Sequence, residues 1–297
     1  MNMSSPPHGT SDAAAKVVHF DIIVADGFVL SEFAAVVDVL RITNRVSAGP
    51  VFHWTVRSRN GGTVASSSEA FVETERFTDK PQANYLVVIG NRDQKSPELS
   101  LRAVIDRYTS RRSKVFLLAE AASRYIQDRG EDAAHLATHW ENLAVLREDE
   151  GLHDIDYTIA SEDGLIVTCA GMGTTMDVIL QEVRLYIAPA VLMTVTNIFL
   201  HERIRDFGTR QPFGGKGGTA MGDKVLNRAI RIMQENIETP RPVSEISVLL
   251  GVSPRSLERR FRTRFDTTPN TYYRELRLAR ANNLLLNTRM PVREIGL

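Results

Sequence analysis

The chain has 297 residues, 43% hydrophobic and 24% charged, the composition of a globular protein with room for about two domains. Its formal charge is zero and it holds one cysteine, Cys169, so an intramolecular disulfide, an all-cysteine metal cage and a whole-chain attraction to polyanions are all excluded. The zero conceals an asymmetry: residues 223–297 carry 14 Lys and Arg against 8 Asp and Glu, a net of +6, and the preceding residues carry the balancing −6. A basic tail behind an acidic body is a mark of nucleic-acid binding.

Residues 1–16, rich in Ser, Pro, Gly and Ala, lack the basic start and apolar core of a signal peptide and read as a disordered leader. With a single thiol, this suits a reducing, cytoplasmic setting. Residues 19–27 read as a buried strand ending in a turn. Phe33, Val36, Val37 and Leu40 then share a face of a helix running to about Asn44. Residues 51–58 alternate as a strand and 64–73 do so more weakly. Residues 85–90, Tyr-Leu-Val-Val-Ile-Gly, form a short apolar run closed by glycine, as in a parallel strand covered on both faces. Helices are expected over 97–111 and 120–128, with a buried strand over 114–119 between them.

Next come an expected strand at 135–140, a helix at 141–149, strands at 154–160 and 165–169 around a turn at 162–164, and a long helix over 174–201. The apolar run 185–200 is broken by Pro189, Thr194, Thr196 and Asn197, too short and too polar to span a bilayer, so no membrane is expected as a partner. Its apolar character nearly all round instead suggests a homodimer interface. The alternation of short strands and helices argues for an α/β fold, a flavodoxin-like parallel sheet sandwiched by helices. A composition break follows at 207–222, where six glycines and Pro212 give a flexible-linker signature.

Beyond it the sequence becomes helical and basic, an expected all-α domain over 223–297. Residues 243–261 have helix-turn-helix grammar. Ile246, Leu249 and Leu250 form an apolar face, Ser247 is small where a second helix must pack closely, and Gly251 suits a left-handed corner. Ser253 is placed to cap the next helix, with Pro254 at its first position. Leu257 and Phe261 then face a core, so that Arg255, Glu258 and Arg259 are expected at base edges of double-stranded DNA, and Ser256, Arg262 and Arg264 at phosphates. The bland alternative is a helical hairpin with a solvated charged face.

The stretch 266–287, with Arg277-Leu-Ala-Arg-Ala and Leu284-Leu-Leu, resembles the linker helix of the AraC/XylS family of transcription regulators, and residues 223–297 resemble that family's DNA-binding module almost throughout. The family carries two helix-turn-helix units. Here Pro291-Val-Arg-Glu-Ile-Gly-Leu297 opens the second, whose turn and recognition helix do not follow. Single-unit binding, a fragment, and a sensor or decoy that no longer binds DNA are the expectations this leaves.

The body over 17–206 resembles the GlxA-type regulators, whose N-terminal domain has the PfpI-like fold of the class I glutamine-amidotransferase superfamily. The resemblance rests on Asp26-Gly-Phe, Val37-Asp-Val-Leu, Leu86-Val-Val-Ile-Gly, Ala137-Thr-His-Trp and Val167-Thr-Cys-Ala-Gly. Catalytic members place a cysteine on a strand-to-helix elbow, flanked by an acid from the first helix and a histidine. The resemblance puts the elbow at Ala119, the acid at Glu32 and the histidine at His139. Alanine has no nucleophilic atom, so thiol catalysis is not expected, and a PfpI-like enzyme is the weaker alternative. Cys169, on another strand, reads as a small core residue.

In open α/β sheets ligands bind beyond the carboxyl ends of the strands. Gly90, Asn91, Ala119 and Glu120 are such ends, and with Glu32 and His139 they form the expected effector site. Each has an ordinary reading beside the functional one: Glu32 a surface acid, His139 a core histidine, Glu120 an acid at a helix N-terminus, Asn91 a turn residue. A pocket with two carboxylates and no thiol favours a small cationic or zwitterionic metabolite, in keeping with GlxA-type regulators that sense quaternary amines or basic amino acids. No metal and no cofactor is expected.

Overall fold

The computed structural model describes residues 17–143, 146, 157–211, 223–288 and 290–296. The expected leader, most of the linker and most of the helix expected over 141–149 lie outside these residues.

The body is built on one eight-stranded sheet. Its strands are β1 (Val18–Ile23), β2 (Phe52–Ser58), β3 (Gly62–Ala65), β4 (Phe71–Arg76), β5 (Tyr85–Val88), β6 (Lys114–Leu118), β7 (Ala160–Asp163) and β8 (Ile166–Cys169), in the order β3-β4-β2-β1-β5-β6-β8-β7. The six from β4 to β8 in that order pair in parallel, whereas β3 and β7 close the two edges antiparallel. The expected parallel sheet is thus present, with one antiparallel strand added at each edge. Residues 64–73 are not one strand but the bend of the β3–β4 hairpin. The Ser66 hydroxyl accepts from the Ser68 and Ala70 amides and Glu69 takes φ 63°, which turns the chain without the usual Asn-Gly signal.

The period-2 pattern of the central strands sorts their side chains onto two faces. On one, Phe20, Ile22, Val87 and Phe116 pack against Val36, Val39 and Leu40 of α1 (Leu30–Val46) and Val178, Ile179 and Val183 of α4 (Thr175–Val183). On the other, Leu86, Val88, Val115 and Leu117 meet Ile105 and Tyr108 of α2 (Arg102–Thr109) and Ala121 and Ala122 of α3 (Glu120–Arg129). Cys169 is fully buried in the first core, as a small apolar side chain.

Two further expectations are corrected. Residues 135–139 are a turn and loop, and Trp140 opens a helix, because two of the segment's amides go to distant side chains: Ala137 N–H to Ser161 Oγ (2.7 Å) and Trp140 N–H to Gln211 Oε1 (2.9 Å). The long helix over 174–201 is two helices, α4 and α5 (Pro189–Ile198), separated by residues 184–188. Pro189 has no N–H to give and its ring rejects a carbonyl four residues back, so it can only start a helix there. Among the described residues no helix is long and apolar enough to cross a membrane.

The basic tail has its own core. Leu226, Ala229 and Met233 of α6 (Lys224–Glu235), Ile246 of α7 (Val243–Leu249), Leu257 and Phe261 of α8 (Pro254–Phe265) and Tyr273 of α9 (Pro269–Asn287) are buried together. A short α10 (Val292–Ile295) follows.

Candidate functional site

Strands β1, β5, β6 and β8 run in parallel and end along one edge, where their loops meet. At the end of β6 the chain turns sharply into α3 through Ala119, which has φ 43° and ψ −107°. Such a conformation costs an L-residue on the order of 1–3 kcal/mol and persists only where its surroundings hold it. Here the Ala119 amide donates to Cys169 O (2.8 Å), and its carbonyl accepts from Ser123 N–H (3.0 Å) and the Thr138 hydroxyl (3.0 Å). The elbow is thus built as expected, with a methyl group in place of a nucleophile.

Glu32 is not a surface acid. It lies in the first turn of α1 and is fully buried, with Oε2 accepting from Gly90 N–H and Oε1 from Met172 N–H, both at 2.9 Å. Burial pushes its carboxyl up to about 7; the negative charge of Glu120 adds to this, while the two amide bonds pull the other way. Two glycines allow the approach. A Cβ on Gly171, at φ 77°, would stand 2.2 Å from Glu32 Oε1 and 2.6 Å from the Ala119 methyl. One on Gly90 would stand 2.6 Å from Glu120 Oε2, 2.9 Å from Glu32 Oε2 and 3.2 Å from the Ala119 methyl. Two carboxylates, the elbow and two glycines therefore converge on one small volume.

Glu120 accepts from Asn91 N–H (3.1 Å) and Asn142 Nδ2 (3.4 Å), and burial raises its carboxyl as well. The Asn91 side chain is engaged internally: Nδ2 donates to Asp26 O (2.7 Å) and Oδ1 accepts from Asp93 N–H (2.9 Å), fastening the turn after β1. His139 is less central than expected. Its ring faces Glu141 (3.6 Å) and Trp140 (5.5 Å between centroids), and burial lowers its pKa. Thr138, not His139, touches the elbow. Sequence reasoning missed Thr138, Gly171 and Met172. Met172 is half-exposed at φ 49°, with its amide on Glu32 and its sulfur 3.7 Å from the Ser31 hydroxyl. The Cys169 thiol is pushed up to about 12 by burial and stays protonated at neutral pH.

In the tail, α7 and α8 meet as the sequence grammar requires. Ser247 is fully buried, Gly251 takes φ 66°, and the Ser253 hydroxyl caps α8 by accepting from Ser256 N–H (3.2 Å) with Pro254 at the first helical position. Ile246 faces the core but Leu249 is 47% exposed, so the apolar face is narrower than expected. Because Leu257 and Phe261 are fully buried, the opposite side of α8 looks outward. Arg255, Ser256, Glu258, Arg259 and Arg262 line one open groove along it with Ser253 and Thr263. Arg262 also reaches Glu258 at 3.4 Å. Arg264 is exposed but stands nine residues beyond Arg255, about half a turn round the helix, and is not part of that groove.

A helix-turn-helix domain model matches residues 246–297. Along nearly its whole length the chain is similar to the HTH-type transcriptional regulator GbdR of Pseudomonas aeruginosa, 27% identical over 92% of this chain and 75% of that one. The regulator GlxA of Rhizobium meliloti is 24% identical over 96% of this chain and 89% of its own. In fold, the chain is similar to a putative transcriptional regulator from Vibrio parahaemolyticus, with a TM-score of 0.52 at 17% identity over 62% of this chain and all of that one. With a mostly parallel α/β sheet ahead of a capped helix-turn-helix, and relatives that match across both parts, the chain is similar along nearly its whole length to HTH-type transcriptional regulators.

Proposed function

We propose that this regulator is ligand-responsive and sequence-specific, and that the catalytically dead α/β domain takes a small cationic or zwitterionic metabolite at Glu32. The observation that carries the reading is Glu32 itself, a buried carboxyl ionising near neutral pH beside a second carboxyl, over an elbow with no nucleophile. A buried carboxylate is costly unless a cation pairs with it, so a site of this kind rewards a positively charged guest. The missing thiol argues against PfpI-like chemistry, for which Cys169 is no substitute because it is buried in the core. In the tail, Arg255, Glu258 and Arg259 are assigned to base edges, and Ser256 and Arg262 to phosphates.

We assign residues 17–206 to the effector domain, 207–222 to the linker and 223–297 to DNA binding, in a cytoplasmic protein. The exposed Leu185, Tyr186, Met193 and Leu200, within a run of 16 residues without a charge, favour pairing with a second copy of the chain. Two copies would present two reading helices to two half-sites. Titration calorimetry with tetramethylammonium, glycine betaine and L-arginine tests the effector assignment. At least one should bind, and Glu32→Ala should abolish it. Binding of neutral sugars or aliphatic acids in place of amines would refute it.

A further inference from the structure

The segment that leaves the sheet for the C-terminal module is fastened to both sides of the Glu32 site. On one side stands Asp177, fully buried in the first turn of α4. It accepts from His201 Nε2 (2.9 Å), the Arg205 amide (2.8 Å), Arg205 Nε (2.9 Å) and Arg205 Nη2 (2.6 Å). The same Nη2 donates to Gly173 O (2.8 Å), one residue past the Met172 amide that holds Glu32. On the other side Gln211, 2% exposed, donates from Nε2 to Thr138 O (2.7 Å) and Thr158 O (2.8 Å) and accepts from Trp140 N–H (2.9 Å). Thr138 in turn donates to the elbow carbonyl of Ala119 (3.0 Å). Between these two anchors the strap is laced to the edge by Ile159 N–H to Thr209 O (2.7 Å) and Ala160 N–H to Phe207 O (3.3 Å).

We propose that residues 201–211 are a read-out strap that couples the state of the Glu32 site to the chain leading into the DNA-binding module. The proposal rests on the reading of Glu32 as the effector site, but the coupling itself is a property of the unliganded chain. Met172 sits in the left-handed region, where a non-glycine residue is strained and needs its hydrogen bond to Glu32 to stay. When that acceptor is drawn to a guest, the 171–173 turn relaxes. The peptide plane carrying Gly173 O then tilts, and Arg205 must follow it or give up part of its grip on Asp177. Gln211 transmits displacement of the elbow wall in the same way through Thr138. The Arg205–Asp177 pair is charge-assisted and held through three donors, and Gln211 is buried and held at both ends of its amide, so the two anchors have discrete positions and little continuous slack.

The test is amide hydrogen exchange on the full 297-residue chain, with no ligand present. Glu32→Gln leaves one acceptor oxygen for the two amides of Gly90 and Met172 and sets an NH2 group against the other, so the Gly90–Glu32–Met172 bridge is broken. It should speed exchange in peptides covering both 170–174 and 201–211 by about tenfold, the loss of one hydrogen bond, while β2 at the far side of the sheet is unchanged. If 170–174 loosens and 201–211 keeps wild-type protection, the strap is wrong. The reverse experiment uses Arg205→Lys, which keeps the charge but not the forked grip, and it is decisive even if Glu32→Gln loosens the whole fold. Exchange at 170–174 should rise, and an unchanged rate there overturns the proposal. Because no effector enters either arm, failure to bind amines would refute the effector reading and leave the strap standing.

Discussion

Stability should fall as pH rises through neutrality because of Glu32. In the unfolded chain its carboxyl titrates at 4.5 and in the fold at about 7. Between those values the native state keeps a proton that the unfolded chain has released, so raising the pH favours unfolding. At about 1.4 kcal/mol per pH unit, the interval is worth about 3 kcal/mol, an advantage present in full below pH 4.5 and lost above about pH 8. For a body of this size that is roughly 6–12 °C in melting temperature. Glu120 shifts in the same direction, whereas His139, with its lowered pKa, favours unfolding as the solution is acidified.

The assay is therefore a difference: melting temperatures of wild type and Glu32→Gln from pH 5 to 8.5. Glutamine does not titrate, but its amide group must face one of the two N–H donors from Gly90 and Met172, a pH-independent loss of about 1–3 kcal/mol. The wild type should be the more stable at pH 5, and the gap should shrink or reverse by several degrees, falling steadily from pH 5 and levelling off just above pH 7. Parallel curves would mean that Glu32 is ionised throughout and that the burial argument is wrong.

Gly171→Ala should destabilise by more than about 2 kcal/mol in urea melts, since the new methyl adds left-handed strain to a 2.2 Å clash with Glu32; a near-neutral change would mean the cluster is loose. Affinity for amines should rise with pH through 7, as Glu32 ionises; pH-independent binding would place the guest elsewhere. In mobility-shift titrations Arg255→Ala should cost about 1–3 kcal/mol and relax specificity at one base pair. Arg262→Ala should weaken all duplexes about equally, and Arg264→Ala, off the groove, should do little; equal effects of all three would remove α8 from the reading role. Light scattering should give a dimer that Met193→Glu disrupts, and a wild-type monomer at micromolar concentration would end that assignment.

Much of this was legible in the sequence because the signals were local. The apolar runs at 85–90 and 114–119 became β5 and β6, Gly251, Ser253 and Pro254 form the corner and cap they spell out, and Cys169 is core. Glu32 was half legible. It stands four residues before Val36, on the same stripe as Val36, Val39 and Thr43, and a carboxylate on a buried stripe is a stronger signal than one beside Phe33. Its partners were not legible, since the amides of Gly90 and Met172 come from 58 and 140 residues away. The segment at 135–140 alternates like a strand, yet the amides of Ala137 and Trp140 are claimed by Ser161 and Gln211, and only the tertiary fold brings those there.

Asp223 is the first described residue after the linker, and its side chain has two duties. It caps α6 by accepting from the Val225 and Leu226 amides (3.0 and 3.1 Å), and it pairs with Arg260, the neighbour of Arg259 on α8. A pull on the chain thus enters the module at a contact with α8, before it meets the hydrophobic core. Mechanical load at this point has a lever on the roll of α8 about its own axis, and roll decides which side chains face a groove and which face away. The joint is also ionic and partly exposed, so it softens as salt rises.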